Sequence, residues 1–414
     1  MNSVLNVQLH GRLAGRLVQD ANGQVSFAYD ASWLTAPVAS ALSHSMPLRP
    51  EPFHRSECEA FFAGLLPEQG QREQVSRLLG VSPGNFFSLL REIGRECSGA
   101  VSLVPEGEPA STGGKPYEEI NEQELAAAFS KLPVRPLLAG DREVRLSLAG
   151  VQAKLVVRIA DGVISLPRHG ALSTHILKPI SPTYPDIVQN EAFCMRLAAA
   201  SGLNVAKVEV GKAEGIEYLS VERYDRFLGP DGLERKHQED FCQALNRRPD
   251  QKYQAEEGPT LKQCFGLMRD ASSVAVLDLQ ALLDAVIFNC LIGNNDAHGK
   301  NFSILYTQDA DGSTLARLAP LYDLICTVKY EGLSKNMAMK LGGESDSERL
   351  TSRHFDAFAE EVRLAKPLVR ARVVSLSNQV LGEIDNVLAA LPGAASVAEV
   401  VRIRCERMRL LFNK

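Results

Sequence analysis

The chain has 414 residues, which is long for one hydrophobic core and predicts two or three domains. Its hydrophobic content of 45% and charged content of 23% are typical of a globular protein rather than a disordered one. The formal net charge of −5 argues against nucleic-acid binding over a broad surface, although it leaves room for a local basic patch.

The N-terminal region alternates between strand and helix patterns. LNVQLHGRLAGRLVQ and VSFAYD predict antiparallel strands, with a turn at DANGQ between them. From about residue 56 to residue 93 the apolar spacing becomes helical. Residues 105–116 are rich in Pro, Gly and Ser, so we interpret them as a linker or exposed loop.

A second β-rich region is predicted after a short helix near residues 123–131. RLSLAGVQAKLVVRI indicates strand, tight loop and strand, and the turn at Asp161 and Gly162 leads into VISLP and then THILKP. DIVQNEAFCMRLAAASGL predicts a helix with Asp186 as N-cap and Gly202 at its stop. Two strands, VAKVEVGKA and IEYLSVERY, follow on either side of Gly215.

The chain is predicted to be mainly helical from Asp240 onward. In residues 279–292, apolar side chains recur every three or four positions, which predicts one buried helix face that ends at Gly293. GNNDAHGKN follows, then the strand NFSILY, a turn at DADG, the strand TLARL and the segment APLYDL. The last sixty or so residues again show amphipathic helical spacing.

The compartment is predicted from two further features. The N-terminus has no continuous apolar run typical of a signal peptide, and residues 279–292 are predicted to be too short to span a bilayer. The eight cysteines are scattered without a CxxC pair, which favours free, mostly buried thiols in a reducing cytoplasm.

One series of polar residues has the order that phosphoryl transfer requires. Asp296 is followed five positions later by Asn301, and Asp323 comes after the predicted hairpin. Protein kinases use such an Asp as the base, and such an Asn and second Asp as oxygen ligands of magnesium. We predict that Asp323 returns beside the loop on the adjacent strand. Taken alone, this Asp–Asn spacing occurs by chance in many chains, and the simpler explanation is that Asn294, Asn295 and Asp296 cap the end of a helix.

The β-rich region carries candidates for the nucleotide side of the reaction. SLAGVQAK is a small-residue turn whose backbone amides suit phosphate oxygens, although an ordinary hairpin has the same composition. Lys178 is the best-placed lysine on a strand, and Glu191 on the next helix is a candidate to orient it. The alternatives are that Lys178 is a solvated lysine on an edge strand and that Glu191 is a surface residue. The segment with the sequence VERY ends the last strand of this region. In a kinase, a hinge at this place would bind adenine through its backbone groups.

Together these segments resemble a known family. RLSLAGVQAK, THILKP, NEAFCMRLAAASGLNV, VERYDR, QEDFCQALN, IGNNDAHGKNFS and LAPLYDLI are similar to the HipA family of bacterial serine/threonine kinases, the toxins of HipBA-type toxin–antitoxin modules. The resemblance covers nearly the whole chain. It implies an α+β, two-lobed protein-kinase-like fold with a β-rich N-terminal subdomain at residues 1–110, an N-lobe with phosphate loop and hinge at 111–235 and a mostly helical C-lobe at 236–414.

The resemblance also implies roles for individual residues. Asp296 matches the catalytic base, Asn301 and Asp323 the magnesium ligands, and Ser147 an inhibitory autophosphorylation site. The implied ATP contacts are Ala149, Gly150, Val151, Gln152, Ala153, Lys154, Lys178, Glu222, Arg223, Tyr224, His298, Gly299, Lys300 and Asn301.

The implied cofactors are ATP and Mg²⁺, and the implied partners are a HipB-like helix-turn-helix antitoxin and an aminoacyl-tRNA synthetase as the substrate. DNA is expected mainly through the antitoxin, and no membrane partner is expected. Two other functions remain open at this stage: a small-molecule kinase of the aminoglycoside-phosphotransferase kind, and a non-catalytic corepressor that binds an antitoxin.

Overall fold

The computed structural model describes residues 2–109, 114–138, 147, 152–184, 186–230, 232–309 and 313–412. The chain forms two compact units. The first unit comprises Met1–Pro179, Lys212–Pro249 and Leu305–Leu315, and the second unit comprises Ile180–Gly211, Asp250–Ile304 and Ala316–Lys414. The three contiguous domains expected from the sequence stay a prediction.

In the N-terminal third, the predicted strands of the first 30 residues, the helices between residues 56 and 93 and the helix near residues 123–131 are confirmed. The elements of this third are β1 (Ser3–Leu9), β2 (Arg12–Gln19), β3 (Val25–Tyr29), α1 (Ala31–Leu34), β4 (Phe53–His54), α2 (Arg55–Gly64), α3 (Gln69–Leu79), α4 (Phe86–Ile93), β5 (Val101–Pro105), β6 (Tyr117–Glu119) and α5 (Glu122–Lys131). Of these, α1, β4, β5 and β6 were not predicted. The first five strands form an antiparallel sheet of order β4-β3-β2-β1-β5. Its buried face, with α2 and α4, supplies a hydrophobic core rich in phenylalanine.

The middle of the chain builds a second sheet. Its elements are β7 (Leu155–Ala160), β8 (Val163–Pro167), β9 (His175–Pro179), α6 (Ile187–Ala200), β10 (Val208–Ala213), β11 (Ile216–Glu222), β12 (Arg226–Gly229), β13 (Gly232–Arg235) and β14 (His237–Asp240). The sheet has six strands in the order β10-β11-β9-β7-β8-β6, and α5 packs its apolar side chains into the same core as β7 and β9. β12 and β13 form a separate hairpin that the sequence analysis did not predict.

The C-terminal region is mainly helical, as predicted. Its elements are α7 (Phe241–Ala244), α8 (Leu261–Ala271), α9 (Ala275–Ile292), β15 (Ser303–Gln308), β16 (Thr314–Leu318), β17 (Asn336–Leu341), β18 (Glu344–Asp346), α10 (Ser352–Glu361), α11 (Lys366–Ala390) and α12 (Ala395–Leu410). Strands β14, β15 and β16 lie side by side in one sheet. The hairpin of β17 and β18 was not predicted. The α+β fold class is confirmed.

Helix α9 differs from its prediction in both length and surroundings. It has 18 residues, and every residue from Leu282 to Ile292 is buried, so the expected single buried face is wrong. Other helices cover it on several sides, and its polar residues are paired, for example Asp284 with Arg372. Helix α9 is long and apolar enough to cross a membrane, a property that the buried core helices of other proteins share. In this protein, 61% of α9 is buried inside the structure.

The eight cysteines are all free and buried, as predicted. Burial raises the pKa of several of these thiols, that of Cys264 to about 12 for example. They therefore act as small apolar side chains in the core and are poor nucleophiles at neutral pH.

Candidate functional site

The loop that follows α9 is tied to the surrounding backbone from its first residue. Gly293 has φ +70°, and a Cβ at this position would collide with Val328, so the sharp turn out of the helix requires glycine. Thr327 donates its hydroxyl to the Gly293 carbonyl at 3.0 Å and accepts from the Asn295 amide at 2.8 Å. Asn294 donates to the Asn289 side chain in the last turn of α9 at 2.8 Å. The loop therefore leaves the helix in one fixed direction.

Asp296 stands at the surface, and a hydrogen bond orients its carboxylate. Its side chain is exposed, and its Oδ1 accepts a hydrogen bond from the Tyr253 hydroxyl at 2.8 Å. Its backbone is held as well, because its amide donates to Asn294 Oδ1 at 3.1 Å and its carbonyl accepts from the His298 amide at 2.8 Å. An exposed, oriented carboxylate can meet an incoming hydroxyl group, which is the geometry that a general base needs.

Asn301 and Asp323 are brought together, as the kinase-like spacing predicts. Asn301 is buried and Asp323 half-buried, and the Asn301 Nδ2 lies 3.5 Å from Asp323 Oδ2. The expected position of Asp323 on a strand is wrong. It lies in a loop beyond β16 with φ +58°, in the left-handed region that Asp and Asn tolerate better than most residues.

This pair fits a magnesium ion. Among the described residues there is no group of three or more His, Cys, Asp or Glu side chains that could hold a metal. Mg²⁺ does not require one, because it is commonly bound by one or two protein oxygens together with water and substrate phosphates. The Asp323 carboxylate and the Asn301 amide oxygen supply such a set, and the role of both residues as ligands stays a prediction.

The sequence analysis missed a residue that holds the Asp323 loop. Asn190 on α6 is fully buried, and its side-chain amide pairs with the backbone of Cys326: Nδ2 donates to the carbonyl at 3.0 Å, and Oδ1 accepts from the amide at 2.9 Å. Asn190 also donates to the Tyr330 hydroxyl at 3.1 Å. The segment NEAFCMRLAAASGLNV begins at Asn190, but the sequence does not reveal this role, since the partner is 136 positions away.

Residues 298–301 are buried and braced by Tyr322, another residue that the sequence analysis did not single out. The Tyr322 hydroxyl donates to the Lys300 carbonyl at 2.7 Å and lies 2.7 Å from the Ser303 hydroxyl. His298 and Lys300 are each 6% exposed, and the His298 ring meets the edge of Tyr253 with centroids 5.3 Å apart. The predicted nucleotide contacts of residues 298–301 are not tested by this geometry.

The predicted phosphate loop is described in part. Ala149, Gly150 and Val151 lie outside the described residues. Gln152, Ala153 and Lys154 lead directly into β7, and Lys154 is buried. Ser147 is fully buried in the first unit, where its amide donates to the Glu96 carbonyl at 2.9 Å and its hydroxyl donates to the Leu65 carbonyl at 2.7 Å. Ser147 is thus anchored to the N-terminal subdomain.

Lys178 and Glu191 occupy positions that disfavour the simpler explanations of each. Lys178 lies on β9, which is flanked by β11 and β7, so it is not an edge-strand lysine. Glu191 on α6 is 2% exposed, so it is not a surface residue. A buried carboxylate interacts more strongly with a nearby cation than one in water does, so Glu191 is suited to an electrostatic role. The proposed pairing of the two stays a prediction.

The predicted hinge ends in a buried cluster of ions. Arg223 donates to Asp225 at 2.9 Å and to Glu96 at 2.9 Å, and Arg226 donates to Glu96 at 2.6 Å. Burial by itself would raise the pKa of Asp225, but the guanidinium groups of Arg223 and Arg226 hold that pKa well below its ordinary range. The Arg223 side chain is thus part of the scaffold, and a contact with adenine is expected from backbone atoms of residues 222–224.

Proteins similar to this chain are named as kinases, enzymes that transfer a phosphoryl group to a hydroxyl group, and the roles of Asp296, Asn301 and Asp323 stay a prediction. The family model of the HipA N-terminal domain matches residues 5–104 of this chain. The family model of the HipA-like C-terminal domain matches residues 146–387. The chain therefore belongs to the HipA family of serine/threonine-protein kinases.

Individual relatives agree with this assignment. The chain is 47% identical over 390 residues to "Putative kinase Y4mE" of Sinorhizobium fredii, covering 93% of this chain and 92% of the relative. It is 31% identical to the serine/threonine-protein kinase toxin HipA of Shewanella oneidensis, over 81% of this chain and 78% of the relative. A structure of the Shewanella oneidensis HipA, HipB and operator DNA complex contains a chain that matches with a TM-score of 0.85, 28% identity and 99% coverage of both chains.

Proposed function

We propose that this chain is an ATP- and Mg²⁺-dependent serine/threonine protein kinase that acts as the toxin of a type II toxin–antitoxin module. The observation that carries the proposal is the pair formed by Asn301 and Asp323, 3.5 Å apart in the unit that also presents the oriented Asp296 carboxylate. A base and two oxygen ligands in this order are the parts of the phosphoryl-transfer machinery that face the acceptor and the metal.

In this proposal Asp296 accepts the proton of the acceptor hydroxyl while that oxygen forms its bond to the γ-phosphorus of ATP and the bond to ADP breaks. Asn301 and Asp323 would hold Mg²⁺, which would neutralise charge on the phosphate oxygens. General-base assistance contributes roughly a 10²–10⁴-fold rate gain, so positioning and electrostatics supply most of the acceleration. The fixed backbone around Gly293, Asn295 and Thr327 supports that positioning.

Nucleotide contacts are proposed for residues 149–154, Lys178, residues 222–224 and residues 298–301, with Glu191 as the residue that orients Lys178. The position of Lys178 on an inner strand and the burial of Lys154, Glu191 and His298 support these roles. The polar groups of Lys154 and His298 are buried, and electrostatic interactions with phosphate are stronger there than in bulk water.

Ser147 is proposed as an inhibitory autophosphorylation site. In the described conformation its hydroxyl is fully buried and donates to the Leu65 carbonyl. A phosphate on this oxygen has no proton to donate at neutral pH and carries nearly two negative charges, so it cannot keep that place. Phosphorylation would therefore stabilise a different conformation of the loop that begins at Ser147.

An aminoacyl-tRNA synthetase is the proposed substrate, a HipB-like helix-turn-helix protein the proposed antitoxin, and DNA contact is proposed mainly through that antitoxin. The relative named as a serine/threonine-protein kinase toxin and the solved HipA, HipB and operator DNA complex support the module. The buried free cysteines support a cytoplasmic location.

The decisive experiment replaces Asp296 by Asn and follows radiolabelled ATP in a cell extract. The wild-type chain should label one protein band, and Asp296→Asn should not, while Asp270→Asn at an exposed position of α8 should behave as wild type. Label found only in small molecules would favour the aminoglycoside-phosphotransferase kind of kinase. Growth arrest that survives Asp296→Asn would instead favour a non-catalytic corepressor.

A further inference from the structure

Tyr253 makes a direct hydrogen bond to the proposed catalytic base. Its hydroxyl donates to Asp296 Oδ1 at 2.8 Å, although the two residues are 43 positions apart. Its ring also packs edge-on against His298, with centroids 5.3 Å apart and planes at 78°. Tyr253 therefore touches two residues of the loop at residues 293–301, the proposed catalytic loop.

The turn that carries Tyr253 is rigid. The amides of Glu256 and Gly258 both donate to the Tyr253 carbonyl at 2.9 Å. A Cβ at Gly258 would lie 2.5 Å from that same oxygen, so the turn closes in this way only with glycine. Such a turn fixes the backbone from which the phenol extends toward Asp296.

Both flanks of Tyr253 are also anchored to the unit that holds the catalytic loop. The Gln254 side chain accepts from the Lys340 amide on β17 at 2.8 Å. The Lys252 carbonyl accepts from the Gly299 amide of the catalytic loop at 3.4 Å. The catalytic loop and the Tyr253 turn are therefore joined by backbone as well as by side chain.

We propose that Tyr253 is a positioning residue that holds the Asp296 carboxylate in the orientation needed to receive the acceptor hydroxyl. The terminal torsion of an aspartate has a broad energy minimum, so an exposed carboxylate samples many orientations unless a partner holds it. With the phenol on Oδ1, the carboxylate plane is set and Oδ2 takes a defined direction. A base aligned before the acceptor arrives reduces the entropy lost in the reaction. The inference rests on the proposed role of Asp296.

Two variants separate the contribution of the Tyr253 hydroxyl from that of its ring. Tyr253→Phe keeps the contact with His298 and loses the hydrogen bond, whereas Tyr253→Leu loses both. If the hydroxyl positions the base, both variants lower the maximal rate by about tenfold, which corresponds to the loss of one hydrogen bond to a charged group at an exposed site. If the tyrosine only packs, Tyr253→Phe keeps the wild-type rate.

The test uses the full chain, radiolabelled ATP at varied concentration and a cell extract as the acceptor. The expected result is a lower maximal rate of protein labelling in both variants, with an unchanged KM for ATP and an unchanged melting temperature for Tyr253→Phe. Tyr117→Phe is the matched control, because its hydroxyl bonds the Leu172 carbonyl in the other unit. That control should label protein as fast as wild type.

Asp296→Asn in the same assay distinguishes two failures. If Asp296→Asn is inactive and Tyr253→Phe labels at the wild-type rate or faster, the positioning role is overturned and the proposed function stands. A higher rate in Tyr253→Phe would show that the phenol obstructs the base. If Asp296→Asn labels protein at the wild-type rate, the proposed base is wrong and the role of Tyr253 fails with it.

Discussion

The side-chain amide of Asn190 forms a two-point hydrogen bond with the backbone of Cys326, at 3.0 Å to its carbonyl and 2.9 Å from its amide. Cys326 lies three residues after Asp323, so a helix in one part of the sequence fixes the loop that carries the proposed metal ligand. An asparagine is suited to this task because it offers one donor and one acceptor without introducing a charge.

Asn190→Ala is expected to destabilise the protein by about 2–4 kcal/mol, because it leaves a buried donor and a buried acceptor of Cys326 without their partner. Chemical denaturation measures this loss in free energy of unfolding. Asn386→Ala is the matched control, since Asn386 is exposed on α11 and its side-chain amide donates to Glu383 at the surface. Its effect should be within about 0.5 kcal/mol of zero. Equal stability of Asn190→Ala and wild type would show that the Asn190–Cys326 bond is dispensable.

Asp323→Asn is expected to raise the Mg²⁺ concentration for half-maximal activity by at least about tenfold, because it removes the charged oxygen ligand. Asn accepts positive φ as readily as Asp, so the backbone at φ +58° should be retained. Kinase activity measured across a magnesium titration tests this. An unchanged magnesium requirement in an active variant would remove Asp323 from the proposed metal site.

Ser147→Ala is expected to keep ATP binding and initial kinase activity but to lose inactivation over time. The substitution removes both the phosphate acceptor and the hydroxyl bond to Leu65, which costs about 1 kcal/mol of stability. Activity followed during incubation with ATP, together with the mass of the intact protein, provides the measurement. If wild type and variant decline at the same rate, self-inactivation through Ser147 is wrong.

Glu239 predicts a specific pH dependence of stability. It is 1% exposed and accepts hydrogen bonds from Ser43 and Tyr306, both at 2.5 Å, and from the His44 amide at 2.8 Å. Burial raises its pKa from 4.5 to about 7 despite these donors. The folded protein thus binds a proton that the unfolded chain releases, so this group makes stability fall as the pH rises from 4.5 to 7.

Glu239→Gln tests that dependence, because glutamine keeps the size and cannot ionise. The free energy of unfolding of the variant relative to wild type should rise by about 3 kcal/mol between pH 4.5 and pH 8. The neighbouring His237, whose pKa burial lowers to about 4, has the opposite slope below pH 6.5, and the comparison between the two proteins cancels it. A constant difference at all pH values would contradict a protonated Glu239.

The predictions from local sequence succeeded where local rules decide the structure. The strands of the first 30 residues, the turn at Gly215 and the stop of α9 at Gly293 follow from alternation and from residues that accept positive φ. Asp186 shows the limit of such rules. It lies at the N-cap of α6 as predicted, but its side chain makes no capping bond and pairs with Lys329 instead.

The sequence by itself determined the order of the parts: a buried helix, a glycine stop, Asp296, Asn301, a pair of strands and Asp323. It did so because spacing along the chain constrains what one short loop can present. Only the tertiary structure decided that Asp323 lies in a loop at positive φ, that Tyr253 bonds Asp296 and that Asn190 holds Cys326. The physical reason is that these hydrogen bonds join residues 43 and 136 positions apart, and such partners are chosen by the packing of whole elements rather than by neighbours in sequence.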